Sequence, residues 1–280
     1  MKAPETRNKR IISFFLALAL ILSASPRFLL GEISASECKL NKEFLLRFSR
    51  DFKETLFSPR DWKKKDLLTF SAVLGTGALL YVLDGEIQEW VQDHRTSTSD
   101  DVSDVVRKFG EGLFLGGLIA ALYTSGEITK NNSLRKTALL SLESWLTSGF
   151  IVHVFKFVTG RARPHTGESR NTFHPFSTKA RYHSFPSGHS ASAFAVATTI
   201  ADQTEAVLVD ILAYSLATSV ALSRVHDNQH WFSDVFIGSA VGYFVAKKIC
   251  ALNLNQKPAR LGFSFCFRED SKMISLSLYF

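Results

Sequence analysis

Six apolar stretches follow one another along the chain, and they limit its possible folds more than any other feature. They occupy residues 67–83, 113–123, 138–157, 190–201, 207–222 and 231–249. Each has the length of a helix, and none shows the strict alternation of apolar and polar residues that marks a half-buried strand. The pattern predicts an all-α fold, a six-helix bundle with its polar residues at the helix ends.

The hydropathy of the chain lies between that of soluble and membrane proteins. Its mean hydropathy is +0.06 and charged residues make up 21% of it, which is polar for a protein with many membrane spans. Several stretches are shorter than the ~20 apolar residues that cross a hydrocarbon core of about 30 Å. We therefore expect a bundle that is soluble or only partly embedded, in which residues 67–83 are the best candidate for a full span.

Four regions divide the chain. Residues 1–36 join a basic start to the apolar run IISFFLALALIL, which is typical of an export signal or an uncleaved anchor. Residues 37–66 carry apolar residues at helical spacing and predict an amphipathic segment that lies on a membrane or on the domain. The helical-bundle domain covers 67–250. The tail, 251–280, alternates in LGFSFCF and MISLSLYF, which predicts a short C-terminal β-hairpin packed on the bundle.

The charge balance favours anionic partners. The chain has 33 Lys and Arg against 26 Asp and Glu, a net charge of +7, so phosphate esters and acidic lipid surfaces are favoured. The sequence has no basic block interleaved with aromatic residues, so it does not predict a nucleic-acid-binding face. The cysteines, at 38, 250 and 266, show no metal-ligand spacing. A Cys250–Cys266 disulfide in an oxidising compartment is an alternative that the sequence leaves open.

Three polar clusters stand at the ends of the predicted helices. They are KFVTGRARP at the end of the third helix, FPSGH at the start of the fourth, and SRVHDNQHWFSD between the fifth and the sixth. In a bundle whose helices alternate in direction, helices three and five end on the face where helices four and six begin. The three clusters should therefore meet at one end of the bundle.

The cations of these clusters predict an anion-binding pocket. Lys156, Arg163 and Arg224 would repel one another unless the pocket takes an anion. Arginine offers forked donors that match phosphate oxygens, and the lysine adds a point charge. Backbone N–H groups near Ser187 and Gly188, at the N-terminus of a helix, would add further donors.

Two histidines and a carboxylate predict the reacting groups. His230 and Asp234 are four residues apart and share a face of a helix. Asp234 would accept from the Nδ1–H of His230, which fixes the tautomer and leaves Nε2 free to attack. His189 would give a proton to the leaving oxygen. This set of groups works without a metal or another cofactor.

The three clusters resemble the signature of the type 2 phosphatidic acid phosphatase and vanadium haloperoxidase superfamily. That signature is Lys, six residues, Arg-Pro; then Pro-Ser-Gly-His; then Ser-Arg, five residues, His, three residues, Asp, and this chain matches every position. The resemblance implies that His230 forms a phosphohistidine, that Asp234 orients it, and that His189 is the general acid and then the base. It implies phosphate binding, without a divalent metal, by Lys156, Arg163, Ser187, Gly188 and Arg224.

The resemblance implies a metal-independent phosphatase for a phosphomonoester or diphosphate. The export signal, the positive charge and the amphipathic segment favour a lipid phosphate, at a membrane surface on the periplasmic side of the cell envelope. Soluble phosphate esters of the periplasm are the alternative substrates. A vanadium-dependent haloperoxidase, with His230 as the vanadium ligand, is a further alternative, although the family's oxidases are usually much longer chains.

Overall fold

The computed structural model describes residues 39–204 and 206–253, together with the backbone of 261–268 and 271–278. These residues contain eight α-helices rather than the predicted six: α1 (Lys42–Phe57), α2 (Lys64–Asp93), α3 (Ser97–Val106), α4 (Gly112–Ile128), α5 (Asn132–Thr159), α6 (Gly188–Gln203), α7 (Val207–His226) and α8 (Phe232–Leu252). The six apolar stretches form α2 and α4 to α8. The two additional helices, α1 and α3, come from the more polar segments around them. The predicted export signal or anchor at 1–36 lies outside the described residues.

Four of the described helices are long and apolar enough to cross a membrane: α2, α5, α7 and α8. Helices α2, α5 and α7 continue beyond their apolar stretches into polar residues, so α2 has 30 residues and α5 has 28. Large apolar side chains of α2, such as Leu68 and Leu79, are exposed, as expected for a surface that contacts lipid. These are the features of a membrane-embedded bundle, and they correct the expectation of a soluble or partly embedded one.

Helix α6 lies at the centre of the bundle and packs on α5, α7 and α8. Its buried side chains are mostly small, among them Ala191 and Ala195, and small residues let helix backbones approach closely. At Gly242 of α8, an added Cβ would lie 2.2 Å from the carbonyl oxygen of Ala191. The closeness of α6 and α8 matters for function because the first turn of each carries a predicted site histidine or carboxylate.

The end of α5 sets the path of the loop that leads to α6. The helix ends at Gly160, whose φ of 59° is the left-handed conformation that favours glycine. A Cβ added at Gly160 would lie 1.7 Å from the carbonyl oxygen of His174, so only glycine fits here. The backbone N–H of His174 in turn donates to the carbonyl of Gly160 over 2.8 Å. The loop therefore folds back against the helix end and keeps residues 161–187 beside the start of α8.

Helix α1 packs by one face on α5 and α8. Arg47 of α1 pairs with the buried Glu143 of α5 over 3.5 Å, and Asn253, which follows α8, donates to Asp51 over 2.7 Å. Leu45 and Leu46 on the other side of α1 are exposed. The predicted amphipathic helix thus lies on the domain and leaves an apolar face outward.

The tail contains two strands, β1 (Leu261–Arg268) and β2 (Ser271–Leu278), whose backbones pair antiparallel. Their side chains and their packing on the bundle lie outside the described part of the chain. The predicted C-terminal hairpin, packed on the bundle, therefore stays a prediction. Cys250 near the end of α8 is a buried free thiol. The side chain of Cys266 lies outside the described part of the chain, so the Cys250–Cys266 disulfide stays an untested alternative.

Candidate active site

The structure brings the three polar clusters together at one end of the bundle. The end of α5, the start of α6, the end of α7 and the start of α8 each contribute to this end. His230 stands just before α8 and is buried, and the charges of Lys156, Arg163 and Arg224 all act on its ring. The predicted convergence of helix ends therefore places these cations around one histidine.

Each of the three predicted phosphate-binding cations already has one partner within the protein. The ammonium of Lys156 donates to the carbonyl oxygen of His183 over 2.5 Å. One Nη1–H of Arg163 donates to Gln229 over 2.7 Å, and Nη1 of Arg224 donates to Asp227 over 2.9 Å. These contacts fix the directions of the side chains and use only part of their donors.

The donors that remain point to an anion. In the described part of the chain, the Nε–H groups of Arg163 and Arg224 are buried and have no hydrogen-bond acceptor. A buried, unpaired charged donor is costly unless a ligand satisfies it. Arg107, which sequence reasoning missed, adds its charge to the field at His189 and Arg224. Nothing in the sequence indicated that Arg107 belongs to the site, because this residue lies in a mixed-charge segment far along the chain from the three clusters.

The turn before α6 differs from its predicted role in one respect. Ser187 caps α6, and its hydroxyl oxygen accepts from the N–H and the hydroxyl of Ser190. Its backbone N–H donates to the carbonyl of Asp234 over 2.9 Å, so this amide is not a free phosphate donor. The amide of Gly188 belongs to the first turn, where an N–H has no acceptor within its own helix. The described bonds thus leave the hydroxyl proton of Ser187 and the amide of Gly188 unused as donors.

Asp234 does not accept from His230 as predicted. The Nδ1 of His230 lies 2.6 Å from the carbonyl oxygen of Ser184 and 3.9 Å from Oδ2 of Asp234. Because a carbonyl oxygen only accepts, Nδ1 carries the proton and Nε2 keeps the lone pair. The tautomer is the predicted one, but a backbone carbonyl of the loop fixes it. Asp234 instead accepts from the hydroxyl of Ser184 over 2.5 Å.

A buried charge cluster behind Asp234 was missed by sequence reasoning. Arg161 donates to Asp234 over 2.5 Å and to Asp84 of α2 over 2.8 Å. Asp84 also accepts from the backbone N–H and the hydroxyl of Ser233. The available signal was the first arginine of GRARP, two residues before Arg163, and a lone aspartate directly after the apolar stretch 67–83.

The surroundings of both histidines hold them in the neutral form. Burial, and then the charges of Arg224, Lys156 and Arg163, lower the pKa of His189 to about 4. Burial, and then Lys156, Arg163 and Arg224, hold the pKa of His230 well below its usual value. A neutral His230 has the lone pair that a nucleophile needs, whereas His189 would need an anion nearby to become protonated near neutral pH.

We expect the titration of His189 to respond strongly to an anion in the pocket. Without ligand it should protonate near pH 4, because burial and then the neighbouring cations oppose the imidazolium. Saturating inorganic phosphate should raise its pKa, since the added negative charge offsets those cations. Histidine-selective NMR of the full chain in detergent, with and without phosphate, measures both values. An unchanged or lower pKa with phosphate would contradict anion binding beside His189.

Comparison with known proteins gives three findings. Residues 137–257 match the model of the PAP2 superfamily. A lipid A 1-phosphatase of Porphyromonas gingivalis is 35% identical over 101 residues, which cover 35% of this chain and only 20% of that relative. A transmembrane PAP2-type phosphatidylglycerolphosphate phosphatase of Bacillus subtilis has a similar fold, with a TM-score of 0.52 and 22% identity over 65% of this chain and 94% of that chain.

Proposed function

From the match of residues 137–257 to the PAP2 superfamily model, we propose that this protein hydrolyses a phosphomonoester or diphosphate carried by a lipid of the cell envelope. The observation that carries the proposal is the pair of buried Nε–H groups of Arg163 and Arg224, which have no acceptor among the described residues. One phosphoryl group offers oxygens to both of them and to the ammonium of Lys156. The two histidines beside these cations supply the reacting groups.

The first step transfers the phosphoryl group to His230. The Nε2 lone pair attacks phosphorus while the bond from phosphorus to the leaving oxygen breaks. His189 gives its proton to that oxygen, so the lipid leaves as an alcohol, or as a monophosphate from a diphosphate. The Nδ1–H of His230 stays on the carbonyl of Ser184 throughout, which keeps the ring aligned. Lys156, Arg163 and Arg224 stabilise the charge on the transferring phosphoryl oxygens.

The second step releases phosphate with water. His189, now neutral, takes a proton from the water that attacks phosphorus, and the bond between phosphorus and Nε2 breaks. His230 returns to its neutral form with its lone pair on Nε2, and His189 is again protonated. None of these steps needs a divalent metal.

The position of the site favours a lipid over a soluble substrate. The pocket lies where α5 and α7 end and α8 begins, and all three helices have the length and composition of membrane spans. A lipid can place its phosphate headgroup in a site at this level while its acyl chains stay in the bilayer. The names of the two relatives, a lipid A 1-phosphatase and a phosphatidylglycerolphosphate phosphatase, support the same substrate class. The basic, apolar start of the chain supports a site on the periplasmic side.

Phosphate release by the purified full chain in mixed micelles tests the proposal. The substrates are lipid A, phosphatidylglycerolphosphate, phosphatidate, undecaprenyl diphosphate and a soluble aryl phosphate, each assayed with EDTA. We expect release from at least one lipid substrate, with kcat/KM about tenfold or more above that for the aryl phosphate, because binding of the lipid contributes to catalysis.

Three results would contradict parts of this proposal. Equal or faster turnover of the aryl phosphate would favour the soluble-ester alternative and remove the lipid assignment. Absence of release from every substrate would remove the phosphatase assignment. Loss of activity in EDTA that Mg²⁺ or Zn²⁺ restores would exclude the metal-free mechanism.

A further inference from the structure

Arg161 is the most enclosed cation near the site, and none of its bonds reaches toward the pocket. Its side chain is 1% exposed. Its Nη1 donates to Ser233 and Asp234, its Nη2 to Asp84, and its Nε to the carbonyl of Arg170 over 3.2 Å. All three of its nitrogens therefore have partners within the protein, unlike those of Arg163 and Arg224.

Aromatic rings fix the plane of this guanidinium. The ring centroid of Tyr81 lies 4.6 Å from its central carbon, and that of Trp231 lies 5.5 Å away. Trp231 is itself held by a hydrogen bond from its indole N–H to the carbonyl of Ala162 over 2.9 Å. A side chain enclosed in this way has one orientation, so it can transmit position to whatever it binds.

The path from Arg161 to His230 runs through Ser184. The N–H of Ser184 donates to the carbonyl of Arg161 over 3.0 Å, and its hydroxyl donates to Asp234, which is paired with the same arginine. The third polar group of Ser184, its carbonyl oxygen, accepts from Nδ1 of His230. Arg161 thus contacts Ser184 through its backbone carbonyl and, by way of Asp234, through its guanidinium, and Ser184 carries the carbonyl that accepts from Nδ1 of His230.

The charge balance explains the presence of Asp84. A guanidinium paired with Asp234 alone would neutralise that carboxylate. Asp84, with no exposed side-chain surface, takes part of the positive charge of Arg161, so the cluster of two carboxylates and one guanidinium is left with an excess negative charge. That excess lies beside a histidine that becomes cationic when it bonds to phosphorus, and it lowers the energy of that state.

We propose that Asp84 and Arg161 are positioning residues, which set the orientation and the electrostatic environment of His230 through Ser184 and Asp234. The expected change in kcat rests on the proposed function. The expected orientation and tautomer of His230 rest on the hydrogen bonds alone. Neither residue touches the substrate in this arrangement. Their loss should therefore affect the chemical step rather than substrate binding.

The test uses the full chain with Asp84→Asn, Arg161→Lys and Arg161→Gln. We expect Asp84→Asn to lower kcat about tenfold or more while KM changes less than about twofold, as for other residues that orient a reacting group. Arg161→Gln should lower kcat further than Asp84→Asn does. Arg161→Lys should lower kcat less than Arg161→Gln because it keeps the positive charge. Asp202→Asn is the matched control, since Asp202 is a buried carboxylate paired with Lys247 over 2.6 Å at the other end of α6.

A second readout does not need turnover. Histidine-selective ¹⁵N NMR, with His230→Asn to assign the signal, reports which ring nitrogen of His230 carries the proton. We expect the Nδ1–H tautomer in the wild type and a mixture of tautomers in Arg161→Gln. Thermal unfolding of each variant shows whether the chain is folded.

The outcomes separate this inference from the proposed function. A wild type that is inactive on every substrate, with an altered His230 tautomer in Arg161→Gln, would remove the function and keep the inference. An active wild type whose Asp84→Asn and Arg161→Gln variants match it in kcat and in tautomer would overturn the inference. A lower unfolding temperature with unchanged kcat per folded protein would also overturn it, because the cluster would then be structural only.

Discussion

Replacement of His230 by alanine is expected to abolish phosphate release, with a loss of roughly 10⁴-fold or more in kcat. The variant lacks the only nitrogen placed to bond to phosphorus in the proposed mechanism, while the cations that bind phosphate remain. Substrate binding should therefore survive the loss of chemistry. Steady-state assays with the best lipid substrate measure the rate, and trapping with ³²P-labelled substrate measures an acid-labile phosphoenzyme in the wild type that the variant lacks.

The matched control is His153→Ala, which removes an exposed histidine of α5 whose Nδ1 lies 3.0 Å from the carbonyl of Gly149. Its kcat should stay within about twofold of wild type, because the side chain is exposed and its ring bonds to a carbonyl of its own helix. If His230→Ala kept more than a hundredth of the wild-type rate, or still formed a labelled phosphoenzyme, His230 would not be the nucleophile.

His189→Asn should separate the two halves of the reaction. The loss of a general acid and base costs about 10²–10⁴-fold in kcat for a lipid monoester, whose alkoxide leaves poorly without a proton. An aryl phosphate leaves more easily without protonation, so its phosphoryl transfer to His230 should be slowed less. The second step still needs a base for water, and the labelled phosphoenzyme should therefore accumulate with the aryl substrate and not with the lipid.

Rapid-quench measurements with both substrates test this pattern. A burst of aryl alcohol close to one equivalent per site, followed by slow turnover, is the expected result for the variant. Equal losses with both substrates and no accumulated phosphoenzyme would assign His189 to binding rather than to proton transfer.

The sequence was sufficient for the parts of the fold that depend on local pattern. The apolar stretches located six helices, and their alternating directions explain why Lys156 and His230 meet although 73 residues separate them along the chain. Helix lengths were underestimated because α2 and α5 continue through polar residues that pair within the protein, such as Asp84 and Arg135. The lengths matter, since they change the assignment from partly embedded to membrane-embedded.

The site was predictable where it depends on residue types and not where it depends on the loop. Arg163, Arg224 and the two histidines lie together, as the charge pattern suggested. The predicted acceptor for Nδ1 of His230 was wrong. The i,i+4 spacing brings Oδ2 of Asp234 only to 3.9 Å from Nδ1, while the carbonyl oxygen of Ser184 lies 2.6 Å away. No helical periodicity can reveal a carbonyl that a loop of 28 residues, 160–187, folds into place.

The contact between α2 and the start of α8 bears on where the functional unit begins. The segment with family resemblance, 137–257, contains every histidine and cation assigned to phosphate chemistry, yet Asp84 lies 53 residues before it. A polypeptide restricted to that segment would bury Arg161 and Asp234 without the second carboxylate and would expose the face of α8 that α2 covers. The boundary of the family match and the boundary of the packed unit around the site are therefore different, and the latter includes helix α2.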